Sequence, residues 1–257
     1  MYYFLESVIS LPAPVIALVV CALWGLIALA VHRLVVPWLC GPDGRKLGRF
    51  EAEVTSQIAL AFGLLLSFNA VWLWDRSDRV RAAVIDEASA LQTLLDDADL
   101  LEDATKAAAV RAAVRDHARY IADTEWPTLS TSSTDPSRPQ TAVALRKVAR
   151  DAGGTTLLDV VKSAETSRDT RIREGLAYMS PARWGVVFIL GVLLVVSIGA
   201  LHGESPRGRK LALTLVTLAI GFCFAVLLAH ARPFVGQFAI RPDALHAVAK
   251  RAESAAR

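Results

Sequence analysis

Four long runs of apolar residues dominate the chain, and none of them contains Asp, Glu, Lys or Arg. They cover residues 11–31, 58–74, 184–201 and 211–229. Each run is 17–21 residues long, close to the roughly 20 helical residues that cross a hydrocarbon core of about 30 Å. Because backbone groups cannot stay unpaired in lipid, these runs predict transmembrane helices. The expected fold class is an all-α integral membrane protein, with the first run as an uncleaved anchor.

The segment between the second and third runs shows no strand-like alternation and is predicted to be helical. Its first part carries an apolar stripe at intervals of three or four residues: Val80, Val84, Ala88, Leu91 and Leu95. No Gly or Pro occurs between Ser67 and Trp126. We therefore expect the second membrane helix to run on into this segment without a break, up to a turn near residues 103–106.

Prolines and glycines predict where the other helices end. Pro37 is expected to end the first membrane helix, and Pro127 a helix over residues 106–126. Residues 129–140 form a Ser-, Thr- and Pro-rich loop. Two further helices are predicted on either side of the pair Gly153-Gly154.

The predicted layout is two plus two: two transmembrane pairs flank a helical soluble insert. The expected regions are residues 1–74 for the first transmembrane pair, 75–181 for the insert, 182–231 for the second pair, and 232–257 for an Arg-Pro-Phe segment and C-terminal helix.

An even number of crossings places the insert and both termini on one side of the membrane. Ten basic residues flank the membrane on that side, against seven on the other, which favours a cytoplasmic insert and cytoplasmic termini. The ten are Arg76, Arg79, Arg81, Arg171, Arg173, Arg183, Arg232, Arg241, Lys250 and Arg251.

Composition narrows the range of functions. Hydrophobic residues make up 54% of the chain and charged residues 21%, which suits membrane helices joined to a water-exposed part. The net charge of +3 is small and dispersed, so a nucleic-acid partner is not expected. Three scattered cysteines indicate neither a disulfide framework nor a zinc site. We find no nucleophile–base pattern and no phosphate-binding glycine loop, and we predict no catalytic residue, no cofactor, no metal and no enzymatic activity.

Opposite charges are segregated within the insert. An acidic stretch precedes three arginines spaced four residues apart, Arg111, Arg115 and Arg119. The acids are Asp86, Glu87, Asp96, Asp97, Asp99, Glu102 and Asp103. Pairing between two neighbouring helices is the favoured interpretation. A divalent-cation site at the last five acids is the alternative, although the ligand spacing and glycine of an EF-hand loop are missing.

Small residues recur every four positions along the second membrane helix, at Thr55, Ala59, Gly63 and Ser67. Such a row allows close helix packing, and it also suits a pore wall, where small side chains leave room. Asn69 favours the pore, because an amide deep in a membrane run is costly unless it is partnered or hydrated. Hydration at the membrane interface is the alternative, because Asn69 lies towards the insert end of its helix. The candidate pore-lining residues are Ala59, Gly63, Ser67 and Asn69.

A distinctive string follows the fourth run, at residues 231–242. Pro233 must end the helix, and Gly236 permits a turn before a short extended stretch. Pro242 and Asp243 then open a final amphipathic helix. We expect Phe234 to be buried against the insert helices, and Arg232 to lie near the membrane surface, within reach of Glu87 or Glu125.

These strings resemble the bestrophin-like family of bacterial membrane proteins, a domain of unknown function. The resemblance rests on residues 62–66 (Phe-Gly-Leu-Leu-Leu) with Phe68, Glu87-Ala88, Glu125-Trp126-Pro127, Arg232-Pro233-Phe234 and Gly236. It implies a bacterial plasma membrane location and structural or gating roles for Glu87, Arg232, Pro233, Phe234 and Gly236. A more distant similarity to bestrophin anion channels implies a homo-oligomer with the second helix lining a pore. Animal channels carry a calcium-binding acidic cluster after their Pro-Phe string, whereas residues 235–239 contain no acid.

Two functions follow from the resemblance and the pattern. The leading hypothesis is a bestrophin-like oligomeric channel for small ions, anions above all, in a lipid bilayer. The alternative is a non-conducting membrane scaffold or sensor whose cytoplasmic helical insert binds a partner.

Overall fold

The computed structural model describes residues 11–41, 50–131 and 137–254. Within these ranges the chain is helical and has no β-strand. Four helices are long and apolar enough to cross a membrane: α1 (Ala13–Cys40), α2 (Ala52–Asp99), α6 (Pro181–Leu201) and α7 (Pro206–Ala229). The predicted all-α protein with four candidate membrane helices is confirmed at this level.

The second membrane helix is one uninterrupted helix of 48 residues, as predicted from the absence of Gly and Pro after Ser67. It passes from the first to the second of two compact units. The first unit comprises residues 1–74, 178–232 and 236–238, and the second comprises residues 75–177, 233–235 and 239–257. α2 therefore contributes its apolar half to one unit and its amphipathic half to the other.

Two prolines lie inside helices that they were expected to end. Pro37 lies at the start of Val36–Cys40, and α1 stops only at Gly41, whose φ is 73°. Pro127 lies likewise at the start of α4 (Trp126–Ser130). Each is preceded by a π-helical turn, Val31–Val35 and Tyr120–Glu125 respectively. A π turn widens the helix and shifts its hydrogen bonds by one residue, so the proline ring fits and its missing N–H is not needed. Both predicted ends are wrong for this reason.

Close packing in the first unit depends on small residues. The ring of Trp24 on α1 lies 5.4 Å from those of Phe188 and Phe224. A side chain at Gly191 on α6 would collide with Trp24, and one at Gly221 on α7 would press on Cys21. These glycines let the helices approach closely. Close packing matters here because lipid supplies no hydrophobic drive for helix association.

The second unit is a bundle built from the end of α2 and four further elements. These are α3 (Ala104–Arg119), the short α4, α5 (Gln140–Leu176) and α8 (Asp243–Ser254). Asp103 caps α3 by accepting hydrogen bonds from the backbone N–H groups of Thr105 and Lys106, at 2.9 and 3.2 Å. α5 is kinked at Gly154, where φ is 60°, so the predicted break at this pair of glycines is confirmed.

Opposite charges meet across the surface of this bundle. Arg111 donates to Asp99 at 2.6 Å, which confirms pairing between the acidic stretch and the arginine row at this point. Arg119 pairs with Glu253, and Arg251 pairs with Asp96. Because Arg251 and Glu253 lie on α8, three helices take part in this pairing, whereas the sequence predicted pairing between two. Among the described residues, His, Cys, Asp and Glu side chains form no group of three that can hold a metal ion.

Candidate functional site

Two acidic residues from separate helices lie together in the interior of the second unit. Glu87 lies on the buried side of α2, and Glu125 closes the π turn ahead of α4. The two side chains are 1% and 4% exposed. Carboxylates at this depth require partners, because an unpaired buried charge is very costly.

Two arginines on one face of α5 supply those partners. Arg171 donates from Nε to Glu87 Oε2 at 2.7 Å, and from Nη2 to Glu87 Oε1 at 3.2 Å and Glu125 Oε1 at 2.6 Å. Arg168 donates from Nε to Glu125 Oε2 at 2.8 Å and from Nη2 to the carbonyl oxygen of Ser137 at 3.2 Å. The four side chains form an alternating chain, Glu87–Arg171–Glu125–Arg168, which we call the buried ion network. Its two negative and two positive charges balance.

Burial and pairing act in opposite directions on this network. Burial raises the pKa of Glu87, against the opposing effect of Arg171. Burial also acts to lower the pKa of Arg171, but Glu87 and Glu125 outweigh it and raise that pKa. The guanidinium of Arg171 therefore remains charged. Its burial is tolerated because Glu87 and Glu125 pair with it.

Two aromatic rings close one side of the network. The guanidinium carbon of Arg171 lies 5.1 Å from the ring centre of Trp126, a cation–π distance. Phe234 meets Trp126 edge to face, with ring centres 5.2 Å apart and planes at 83°. Phe234 is 7% exposed, which confirms its predicted burial. A side chain at Gly175 would collide with the Phe234 ring, so the end of α5 is shaped to receive it.

The segment that carries Phe234 is a compact turn and lacks the short extended stretch that was expected. Gly236 has a φ of 87°, a conformation that favours glycine. The backbone N–H of Ile240 donates to the carbonyl oxygen of Pro233 at 2.8 Å. Pro233 is buried, whereas Arg232 is half-buried. The Arg232 side chain is not free of contacts. Pairing of Arg232 with Glu87 or Glu125 remains a prediction.

Comparison with known protein families assigns the chain to a family. The Bestrophin-like domain matches residues 51–245, well over half of the chain. The chain belongs to the bestrophin-like family. No curated protein matches it, and no solved structure does.

Several residues that carry the bestrophin-like resemblance therefore meet in one place. Glu87, Glu125, Trp126 and Phe234 are far apart in the chain, yet all contribute to the buried ion network or its aromatic cover. Arg168 and Arg171 complete it, and sequence reasoning did not find them in this role. The sequence did contain one indication of this role: the two arginines are three residues apart, which places both on one face of α5.

Two arginines counted as membrane-flanking cations have other partners. Arg171 is fully buried in the network. Arg76 is 2% exposed and donates to the backbone carbonyl oxygens of Glu174 and Gly175, at 2.7 and 2.9 Å. Both therefore make their contacts within the second unit.

The candidate pore-lining residues of α2 separate into two groups. A side chain added at Gly63 would meet no atom within 4 Å. Ser67 is exposed, with its hydroxyl donating to the carbonyl oxygen of Gly63 at 2.8 Å, and Ala59 is half-exposed. Asn69 is buried and lies about 200° around the helix from Ser67, at roughly 100° per residue. Ala59, Gly63 and Ser67 thus share a face from which Asn69 is absent.

His117, next to the network, is a buried histidine whose ring Nδ1 lies 3.0 Å from Thr141 Oγ1. Burial lowers its pKa to about 4. The folded state therefore favours neutral His117, and the stability that this provides is present above pH 6.5 and is lost as pH falls towards 4. At about 1.4 kcal/mol per pKa unit, the loss amounts to roughly 3 kcal/mol.

We expect His117→Asn to flatten the fall in unfolding free energy between pH 6.5 and 4. Asn keeps a polar group near Thr141 but does not titrate. The measurement is denaturant unfolding of purified protein at a series of pH values. His246→Asn, at an exposed histidine, is the matched control and should keep the wild-type slope. Equal slopes for wild type and His117→Asn would contradict a neutral buried His117.

Proposed function

We propose that this bestrophin-like protein is a homo-oligomeric ion channel, selective for small anions, and that α2 lines its pore. The observation that carries the proposal is the structure of α2 itself. In its apolar half, this unbroken helix has a face formed by Ala59, Gly63 and Ser67 that other parts of the chain leave uncovered. In its other half it carries Glu87 of the buried ion network. A continuous helix that carries both features would connect a change in the network to the pore wall.

The uncovered face supports an oligomer. Large apolar side chains on α2, such as Leu60, Leu64 and Phe68, are exposed in the single chain and suit contact with lipid or other subunits. The small-residue face beside them leaves space where copies of α2 would surround an axis. We therefore assign Ala59, Gly63 and Ser67 to the pore wall, and assign Asn69 elsewhere.

The membrane arrangement belongs to the same proposal. Two transmembrane helices would precede a helical soluble insert and two would follow it, with the insert and both termini in the cytoplasm of a bacterial cell. The buried charges of the second unit suit a water-exposed bundle better than lipid.

Ion flux through reconstituted protein tests the proposal. Purified oligomers in liposomes should release chloride faster than empty vesicles, and anions should pass faster than cations of similar size. Liposomes containing protein unfolded before reconstitution provide the control. Oligomers that pass no ion of a panel of anions and cations would contradict the channel and leave a non-conducting scaffold or sensor as the better account.

A further inference from the structure

A cavity of about 520 Å³ opens in the first unit between α2 and the start of α6. Part of its lining is apolar and includes Leu65, Phe68 and Val186. The lining also includes Asn69, Trp72 and Arg183. The cavity therefore combines an apolar surface with a few polar side chains, as expected of a site for an amphipathic molecule.

The polar side of the cavity is electropositive. Arg183 lies in the first turn of α6, whose residues there include no acid. Ser180 caps this end by accepting a hydrogen bond from the backbone N–H of Arg183, at 3.4 Å. The start of a 21-residue helix carries a partial positive charge, to which the guanidinium adds a full one. The guanidinium carbon is 5.6 Å from the Trp72 ring centre, which positions it at the cavity.

Asn69 supplies independent evidence for a ligand. The residue is 8% exposed and borders the cavity. Among the residues that the structure describes, no hydrogen bond involves its amide. The amide atoms are not among the fully enclosed unpaired atoms, so they are open to the cavity that the residue lines. Its two N–H donors are available to an acceptor that occupies the cavity.

We propose that the cavity binds the phosphate of an anionic phospholipid. The phosphate would accept hydrogen bonds from Arg183 and from the amide of Asn69, at the start of α6. One acyl chain would lie along Leu65, Phe68 and Val186. Phe68 and Val186 are 61% and 49% exposed, on helices long enough to cross a membrane. A free phosphate ion would leave that apolar wall unused, which favours the lipid. The site does not depend on conduction.

Lipid titration monitored by native mass spectrometry tests the proposal. The probes are phosphatidylglycerol, phosphatidylcholine with the same acyl chains, and inorganic phosphate as a competitor, added to protein in neutral detergent. The wild type should bind phosphatidylglycerol more tightly than phosphatidylcholine, with no displacement by millimolar phosphate. Arg183→Gln should weaken phosphatidylglycerol binding roughly tenfold, the effect of losing a charge-assisted hydrogen bond. Asn69→Leu should weaken it less.

Arg207→Gln is the matched control, because Arg207 also lies in the first turn of a membrane helix that follows a Ser-Pro pair. It should bind phosphatidylglycerol as the wild type does, and Arg183→Lys should retain most of the affinity. Equal binding by Arg183→Gln and Arg207→Gln would overturn the site. Phosphate that binds with the same dependence on Arg183, and displaces the lipid, would overturn the lipid assignment and identify a free-anion site.

Discussion

Arg171→Leu is expected to lower the free energy of unfolding by about 3–5 kcal/mol, as found when one partner of a buried ion pair is removed. Arg171 is fully buried and bonds to both Glu87 and Glu125. Without it, Glu87 loses the guanidinium that accounts for both of its bonds in the network, and Glu125 retains only Arg168. The measurement is thermal and denaturant unfolding of the purified protein in mild detergent.

Two controls separate charge imbalance from loss of packing. Glu87→Leu combined with Arg171→Leu removes one acid and one base and leaves the pair Glu125–Arg168 intact. Because apolar residues can replace a buried ion pair with little loss, the double variant should be more stable than Arg171→Leu alone. Arg79→Ala breaks an exposed pairing with Asp75 and Glu174 and should cost about 1 kcal/mol or less. A double variant less stable than the single one would contradict this account of the network.

Phe234→Ala is expected to destabilise the second unit by about 3–5 kcal/mol, the usual cost of truncating a buried phenylalanine. The ring packs on Trp126, which in turn covers Arg171, so its loss opens a cavity beside the buried ion network. A cavity there would admit water to the paired charges and weaken their attraction. Unfolding of the purified protein, followed by tryptophan fluorescence, measures the effect.

Phe238→Ala is the matched control, four residues along the same turn. Phe238 is 52% exposed and stacks on His230, with ring centres 4.8 Å apart. Its truncation should cost far less than that of Phe234. Equal losses for the two variants would mean that the turn is held by its backbone, through Gly236 and the Pro233–Ile240 hydrogen bond, and that the aromatic contact adds little.

Much of the helical architecture could be predicted because its causes are local. Uncharged runs of membrane-spanning length indicated the four apolar helices. The absence of Gly and Pro beyond Ser67 indicated the continuity of α2. The burial of Phe234 was also predictable, since Pro233 cannot continue the helix and the large apolar ring that follows needs a place to pack.

The partners within the buried ion network were not predictable in the same way. Glu87 and Glu125 stood out as acids in short motifs, but Arg171 is 84 and 46 residues away from them in sequence. Such pairing is set by how the helices pack, and a helical surface offers many arginines at suitable spacing. Arg171 was consequently assigned to the membrane surface. Pro37 and Pro127 show a second limit: a rule for α-helices fails where the chain adopts a π turn ahead of the proline.

The central claim, that the face of α2 with Ala59, Gly63 and Ser67 lines a pore, is tested most directly by the conductance of Gly63→Leu in planar bilayers. An added side chain at Gly63 meets no atom of its own chain within 4 Å, and the same holds at Gly25 on α1. Both variants should therefore fold and assemble. We predict that Gly63→Leu reduces unitary conductance to a small fraction of wild type, while Gly25→Leu conducts normally. Wild-type conductance from correctly assembled Gly63→Leu oligomers would contradict the claim.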